Sequence, residues 1–206
     1  MSIGTYDDLN DMQIDVLREV GNIGSGNATT ALSSMVGKMI DIQVPSVKVL
    51  GFSDAIDEVG GPEKIVAGIL IRINGDIDGM IMFLFEQNLI ALIVETFFGT
   101  TPENILSLNE AEMSALNEMG NIMAGSYVNA ISQLACMTID VEPPMMQIDM
   151  LGAIMSVPAI EMGEMGDKLL FIDNNMVIDQ TSIKSKMLLL PTIDSLDHLL
   201  GKLGVA

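Results

Sequence analysis

The feature that most constrains this chain is an internal repeat. Asp15, Glu19, Asn22 and Pro45 recur in the same order as Ser114, Glu118, Asn121 and Pro144, each pair 99 positions apart. The same register also aligns, without a gap, Asn10 with Asn109, Leu17 with Leu116, Gly21 with Gly120, Ile23 with Ile122 and Gly26 with Gly125. It continues through Ala31 with Ala130, Ser33 with Ser132, Ile40 with Ile139 and Asp41 with Asp140. So many ungapped identities imply duplication and a pseudo-two-fold molecule. A duplicated core would repeat apolar residues. A repeated glutamate and asparagine suggest a duplicated site.

Hydrophobic periodicity gives the same element order twice. Residues 8–36 and 109–136 carry apolar positions at helical spacing, and Asn109 followed by Glu110 and Glu112 reads as a helix start. Strand-like stretches follow at 39–50 and 138–150, then short helices at 53–59 and 152–161. A hairpin is expected over 65–74 and 76–85, with Asn74-Gly75 as its turn. Its counterpart covers 168–173 and 182–190, and an insertion near 174–180 accounts for a longer register there. Helices at 87–98 and 193–203 close the halves. No Pro- or Ser-rich linker separates them. The expectation is an α+β fold: one domain over 1–206, with repeat 1 at about 8–100 and repeat 2 at about 107–205. The two intertwined helix-strand-helix-strand-strand-helix repeats share a mostly antiparallel sheet.

Composition removes several function classes. The chain has 206 residues, 49% of them hydrophobic and 18% charged, so a buried core is expected and disorder is not. A net charge of −19 disfavours nucleic acid and anionic membranes as partners. The first residues lack the basic and apolar regions of a secretory signal, and no stretch suits a membrane helix, so a cytoplasmic location is expected. Cys136 and His198 are the only residues of their types. That excludes an internal disulfide and argues against histidine triads and His/Cys zinc sites. Cys136 is expected to be buried, His198 to be at the surface, and the 18 methionines to serve mainly as core packing.

On a helix, Asp15, Glu19 and Asn22 lie within about 60° of one another, as do Ser114, Glu118 and Asn121. The stripe through Leu9, Met12, Val16, Val20 and Ile23 lies beside this line and is expected to face the core. Gly21, Gly24, Gly26, Gly120 and Gly125 interrupt good helix-forming sequence, at about 1 kcal/mol each relative to alanine. Close helix packing or a local bend is one explanation, and close approach of a partner to Asn22 and Asn121 is the other; both stay open. An exposed glutamate is most often a solvated charge. A carboxamide, however, donates and accepts hydrogen bonds and can hold a water in line with phosphorus.

The twofold pattern of Asp or Ser, three residues, Glu, two residues, Asn, twenty-two residues and Pro resembles the signature of the CheC/CheX/FliY phosphatases of bacterial chemotaxis. The likeness covers essentially the whole chain. Two intact copies without a further C-terminal domain are most similar to the CheC branch. The resemblance implies hydrolysis of the phospho-aspartate of the response regulator CheY. By that resemblance, Asn22 and Asn121 orient the attacking water, and Glu19 and Glu118 pair with the regulator's active-site lysine. Mg²⁺ would belong to CheY, and the chain would need no cofactor of its own. Asp15, Ser114, Pro45 and Pro144 would support the motif. The family also binds the deamidase CheD, for which Asp149, Met150, Leu151 and Ile154 are the candidate contacts. A monomer is expected when the chain is alone. A non-catalytic adaptor, of the kind seen in the related middle domain of FliM, and a scaffold for CheD are the competing readings.

Overall fold

The computed structural model describes residues 3–163, 167–178 and 180–206. Its first half contains α1 (Asp11–Val36), β1 (Ile40–Gly51), α2 (Phe52–Val59), β2 (Ile65–Gly75), β3 (Gly79–Glu86) and α3 (Gln87–Phe98). Its second contains α4 (Glu110–Ala135), β4 (Ile139–Val141), β5 (Met145–Met150), α5 (Leu151–Met162), β6 (Lys168–Ile178), β7 (Thr181–Pro191) and α6 (Ile193–Lys202). The order of elements recurs, with the leading strand of the second half split in two.

The strands form one sheet in the order β1-β6-β7-β3-β2, with β4 and β5 both pairing along the outer side of β2. Every described pairing is antiparallel. Exchanging the halves turns this order into its own reverse. β1 takes the place of β4 and β5, β6 that of β2, and β7 that of β3. The leading strand of each half therefore completes the hairpin of the other, and the α+β architecture is intertwined.

The sheet is covered on both faces. Ile81, Phe83 and Phe85 of β3 enter a large core with residues of α1, α3, α4 and α6. Met80, Met82 and Leu84 enter a smaller core with residues of α2 and α5. Burial on both sides explains why β3 reads as an unbroken apolar run. No helix among the described residues is long and apolar enough to cross a membrane.

The structure corrects several local expectations. Asn74-Gly75 does not turn the first hairpin. Ile73 opposes Gly79, while Asn74 and Gly75 continue β2 to pair with Asp140 and Ile139. Gly75 has φ 110°, and a Cβ there would stand 2.6 Å from the Thr138 carbonyl oxygen. This glycine therefore serves a close strand approach in a left-handed conformation. The insertion near 174–180 is mostly strand: β6 runs to Ile178, opposite Thr181, while Asp179 lies outside the described residues.

Residues 6–8 form a separate 3-10 turn, and α1 starts only after Asn10. Cys136 is exposed, not buried. It ends α4 in a left-handed conformation with φ 53°, where its side chain leaves the helix packing. Met12, Met39, Met145 and Met150 are exposed, so methionine is not confined to the core. His198 is exposed.

Candidate functional site on the paired helices

Two long helices, α1 and α4, lie over one face of the sheet, and each begins with a capping box. The Asn10 side chain accepts from the Gln13 amide at 3.0 Å, and the Gln13 side chain accepts from the Asn10 amide at 2.9 Å. Asn109 accepts from the amides of Ala111 and Glu112, and the Glu112 carboxylate accepts from the Asn109 amide at 2.8 Å. These contacts satisfy amide donors that a helix start leaves open, and fix where each helix begins. Gln13 is buried and also donates to the Val205 carbonyl, joining the first turn of α1 to the C-terminal segment.

Glycines set how the helices are rotated. A Cβ on Gly24 would meet the Tyr127 ring at 2.7 Å and the Tyr127 Cα at 3.0 Å, so α1 and α4 touch there backbone to side chain. A Cβ on Gly120 would meet Ile69 of β2 at 2.7 Å, and one on Gly21 would meet Val44 of β1 at 3.5 Å. The buried face of α1 accordingly runs through Leu17, Val20, Gly21, Gly24, Ala28 and Leu32. This corrects the expected stripe: Met12 is 65% exposed, and Val16 and Ile23 are half-buried. Close approach at the glycines turns the helix onto its glycine side.

A buried polar contact joins the two helices behind this face. Ser25 Oγ and Tyr127 Oη lie 2.6 Å apart, and Tyr127 donates to Asn174 Oδ1 of β6 at 3.3 Å. Burial pushes the Tyr127 phenol up to about 12, so it stays a neutral donor. Sequence reading misses this pair, because Ser25 and Tyr127 are 102 residues apart and carry no periodic signal.

Strand irregularities recur at both motif prolines. Gln43 opposes Asn175, but Ser46 opposes Asp173, so β1 carries one extra residue at Val44–Pro45. Val141 opposes Ile73, but Met145 opposes Leu70, so one extra residue falls across Glu142–Pro144. Both prolines lie along sheet edges, where a missing amide donor is tolerated and a bulge bends the strand. The side chain of Pro45 lies outside what the structure describes. The α1 side chains of Ser33 and Thr29 accept from the amides of Ile40 and Ile42, which covers part of the β1 edge.

On the outer face, Asp15, Glu19 and Asn22 are all exposed, as are Ser114, Glu118 and Asn121. Asp15 pairs with Arg18 at 2.9 Å, a spacing of three residues that is legible in sequence. In the second copy Ser114 and Asn117 stand in those places. Glu19, Asn22, Glu118 and Asn121 make no side-chain hydrogen bond or ion pair with any described residue. Each helix thus presents one free carboxylate and one free carboxamide to solvent on one face. Among the described residues, no cluster of His, Cys, Asp and Glu could hold a metal ion.

The second set of candidates lies across the sheet. Asp149 and Met150 end β5, and the Asp149 carboxylate accepts from the Met150 amide. Leu151 and Ile154 pack inside the smaller core, at 0% and 6% exposure. The exposed apolar side chains here are Met145, Met150, Val157 and Ile160. Gly68, Leu70, Met146, Ala153 and Val157 help line a groove of about 260 Å³ beside them.

A model of the CheC-like family matches residues 12–49 and 112–146, which span the two motif copies. The chain is 33% identical to the CheY-P phosphatase CheC of Bacillus subtilis over 98% of both chains. Its fold is similar to a crystal structure of Thermotoga maritima FliY, with TM-score 0.76 and 22% identity, covering 95% of this chain and 98% of that one. It is also similar to the FliM middle domain of H. pylori, with TM-score 0.65 and 12% identity, over 94% and 99% of the two chains.

Proposed function

The chain belongs to the CheC-like family, and from that premise we propose that it is a chemotaxis phosphatase that hydrolyses the phospho-aspartate of CheY in the cytoplasm. One observation carries the reading: a free, exposed Glu and Asn pair occurs on each of two helices, in a chain similar throughout to a CheY-P phosphatase. Asn22 or Asn121 enters the regulator's active site, and its carboxamide holds a water in line with phosphorus. The water oxygen bonds to phosphorus as the acyl-phosphate P–O bond breaks. The aspartate leaves as carboxylate, and the water's protons go to inorganic phosphate. Glu19 or Glu118 pairs with a lysine of the regulator and sets the docking. When bound in the regulator, Mg²⁺ would supply charge neutralisation at the phosphoryl oxygens. This division of labour suits a helper that supplies positioning alone.

The test is phosphate release from phosphorylated CheY with Mg²⁺, with and without the chain. Acceleration supports the proposal; an unchanged rate overturns it. The FliM-like fold favours an adaptor as the second reading, which predicts CheY binding without acceleration. We also propose that CheD docks on the opposite face, beside Asp149 and Met150, where apolar side chains are exposed. Repeating the assay with CheD present reads any coupling between the two faces.

Glu19→Ala with Glu118→Ala separates docking from chemistry. Both side chains are exposed and have no partner among the described residues, so Tm should stay within about 2 °C. The KM for CheY-P should rise about tenfold, with a smaller change in kcat, as expected for loss of an ion pair made at docking. An unchanged KM would remove the glutamates from the interface.

A further inference from the structure

We propose that Gly26 and Gly125 are close-approach positions for the phosphorylated partner, each kept free of a side chain so that the neighbouring asparagine can reach its target. The proposal rests on the phosphatase reading above and adds to it a specificity determinant one helical turn beyond each asparagine.

Gly21, Gly24 and Gly120 each lie against a strand or the opposite helix, with a neighbour 2.7–3.5 Å from where a Cβ would stand. Their lack of a side chain is explained by packing. Gly26 and Gly125 differ: a Cβ on either would meet nothing within 4 Å among the described residues. Neither has a positive φ, and both lie inside unbroken helix. Glycine is among the poorest helix formers, so each position weakens its helix with no packing return.

Position supplies the missing reason. Gly26 follows Asn22 by four residues, and Gly125 follows Asn121 by four, which puts each glycine about 40° around the helix from its asparagine. Asp15, Glu19, Asn22 and Gly26 all fall within a sector of about 60°. A carboxamide side chain is short. To enter a recessed active site, its helix must come nearly into backbone contact with the partner's rim. A side chain one turn further along the same sector would meet that rim first. The coincidence occurs twice, once in each half.

The two explanations predict opposite results. If the glycines permit a bend, alanine should destabilise the helix. If they permit docking, Gly26→Ala with Gly125→Ala should raise Tm, by about 2–4 °C per site. The same variant should lower kcat/KM for CheY-P about threefold. Gly26→Leu with Gly125→Leu should lower it at least tenfold, mainly through KM, while remaining folded. Ala31→Leu, about 180° around the helix from Asn22, serves as the control and should leave the rate unchanged. Full activity in the folded leucine variant overturns the proposal, and so does a lowered Tm in the alanine variant. If the unaltered chain releases no phosphate from CheY-P, the phosphatase reading fails first. If it is active while the leucine variant matches it, only the glycine inference fails.

Discussion

Asn22→Ala combined with Asn121→Ala will abolish accelerated hydrolysis of CheY-P and leave the fold unchanged. Both side chains are exposed and make no hydrogen bond within the described chain, so removing them breaks nothing structural. The expected change in Tm is within about 2 °C, as for surface substitutions away from special contacts. Loss of one well-placed hydrogen bond to a reacting group commonly costs on the order of 10²-fold in rate. The proposed mechanism draws a single carboxamide per site from this chain, and the nucleophile is water, so little activity should remain. Each single variant should keep the activity of the other helix, and comparing the two ranks the sites. The check is phosphate release at saturating CheY-P, beside circular dichroism for the fold. Activity of the folded double variant at more than about a tenth of the unaltered rate would remove the asparagines from the chemistry.

How much of this was legible in sequence depends on the range of the signal. Elements fixed by local chemistry could be read closely. The Asn109 cap with Glu112 predicts the start of α4, and helix α3 falls at Gln87–Phe98 as its pattern indicates. The exposure of Glu19, Asn22, Glu118 and Asn121 also follows from helical angles. What could not be read are features decided by a distant partner. Asn74-Gly75 has the composition of a tight turn, but β4 recruits it as strand from the other half of the chain. Met12, Val16 and Ile23 follow a good apolar stripe, but Gly21 and Gly24 seat α1 on β1 and α4 through a different face. A periodic pattern counts apolar side chains and gives glycine no weight. Here the glycines, by admitting neighbours, decide which side is buried.

Gly24→Val will be among the most destabilising single changes in α1, although it lies two residues from a glycine whose replacement is expected to stabilise. At Gly24 the new Cβ would stand 2.7 Å from the Tyr127 ring and 3.0 Å from the Tyr127 Cα. The ring could rotate, but the Cα belongs to the backbone of α4 and can yield only if the helix moves. Tyr127 is itself buried, with Phe83 at 6.3 Å between ring centroids, which leaves the ring little room. Overpacking of this kind costs about 1–3 kcal/mol. Separating the helices also strains the 2.6 Å contact between Ser25 and Tyr127, and leaving buried hydroxyls without partners adds about 1–3 kcal/mol. The expected total is about 3–5 kcal/mol, against a helix-propensity gain of under about 1 kcal/mol from replacing glycine. At roughly 2–4 °C per kcal/mol for a chain of this size, Tm should fall by about 10 °C. Thermal unfolding of Gly24→Val beside Gly26→Ala checks the opposition of sign directly. Adding Tyr127→Ala to Gly24→Val should cost less than the two changes summed, because one removes what the other strikes. If Gly24→Val unfolds at the original temperature, then α1 and α4 are not held together through this glycine.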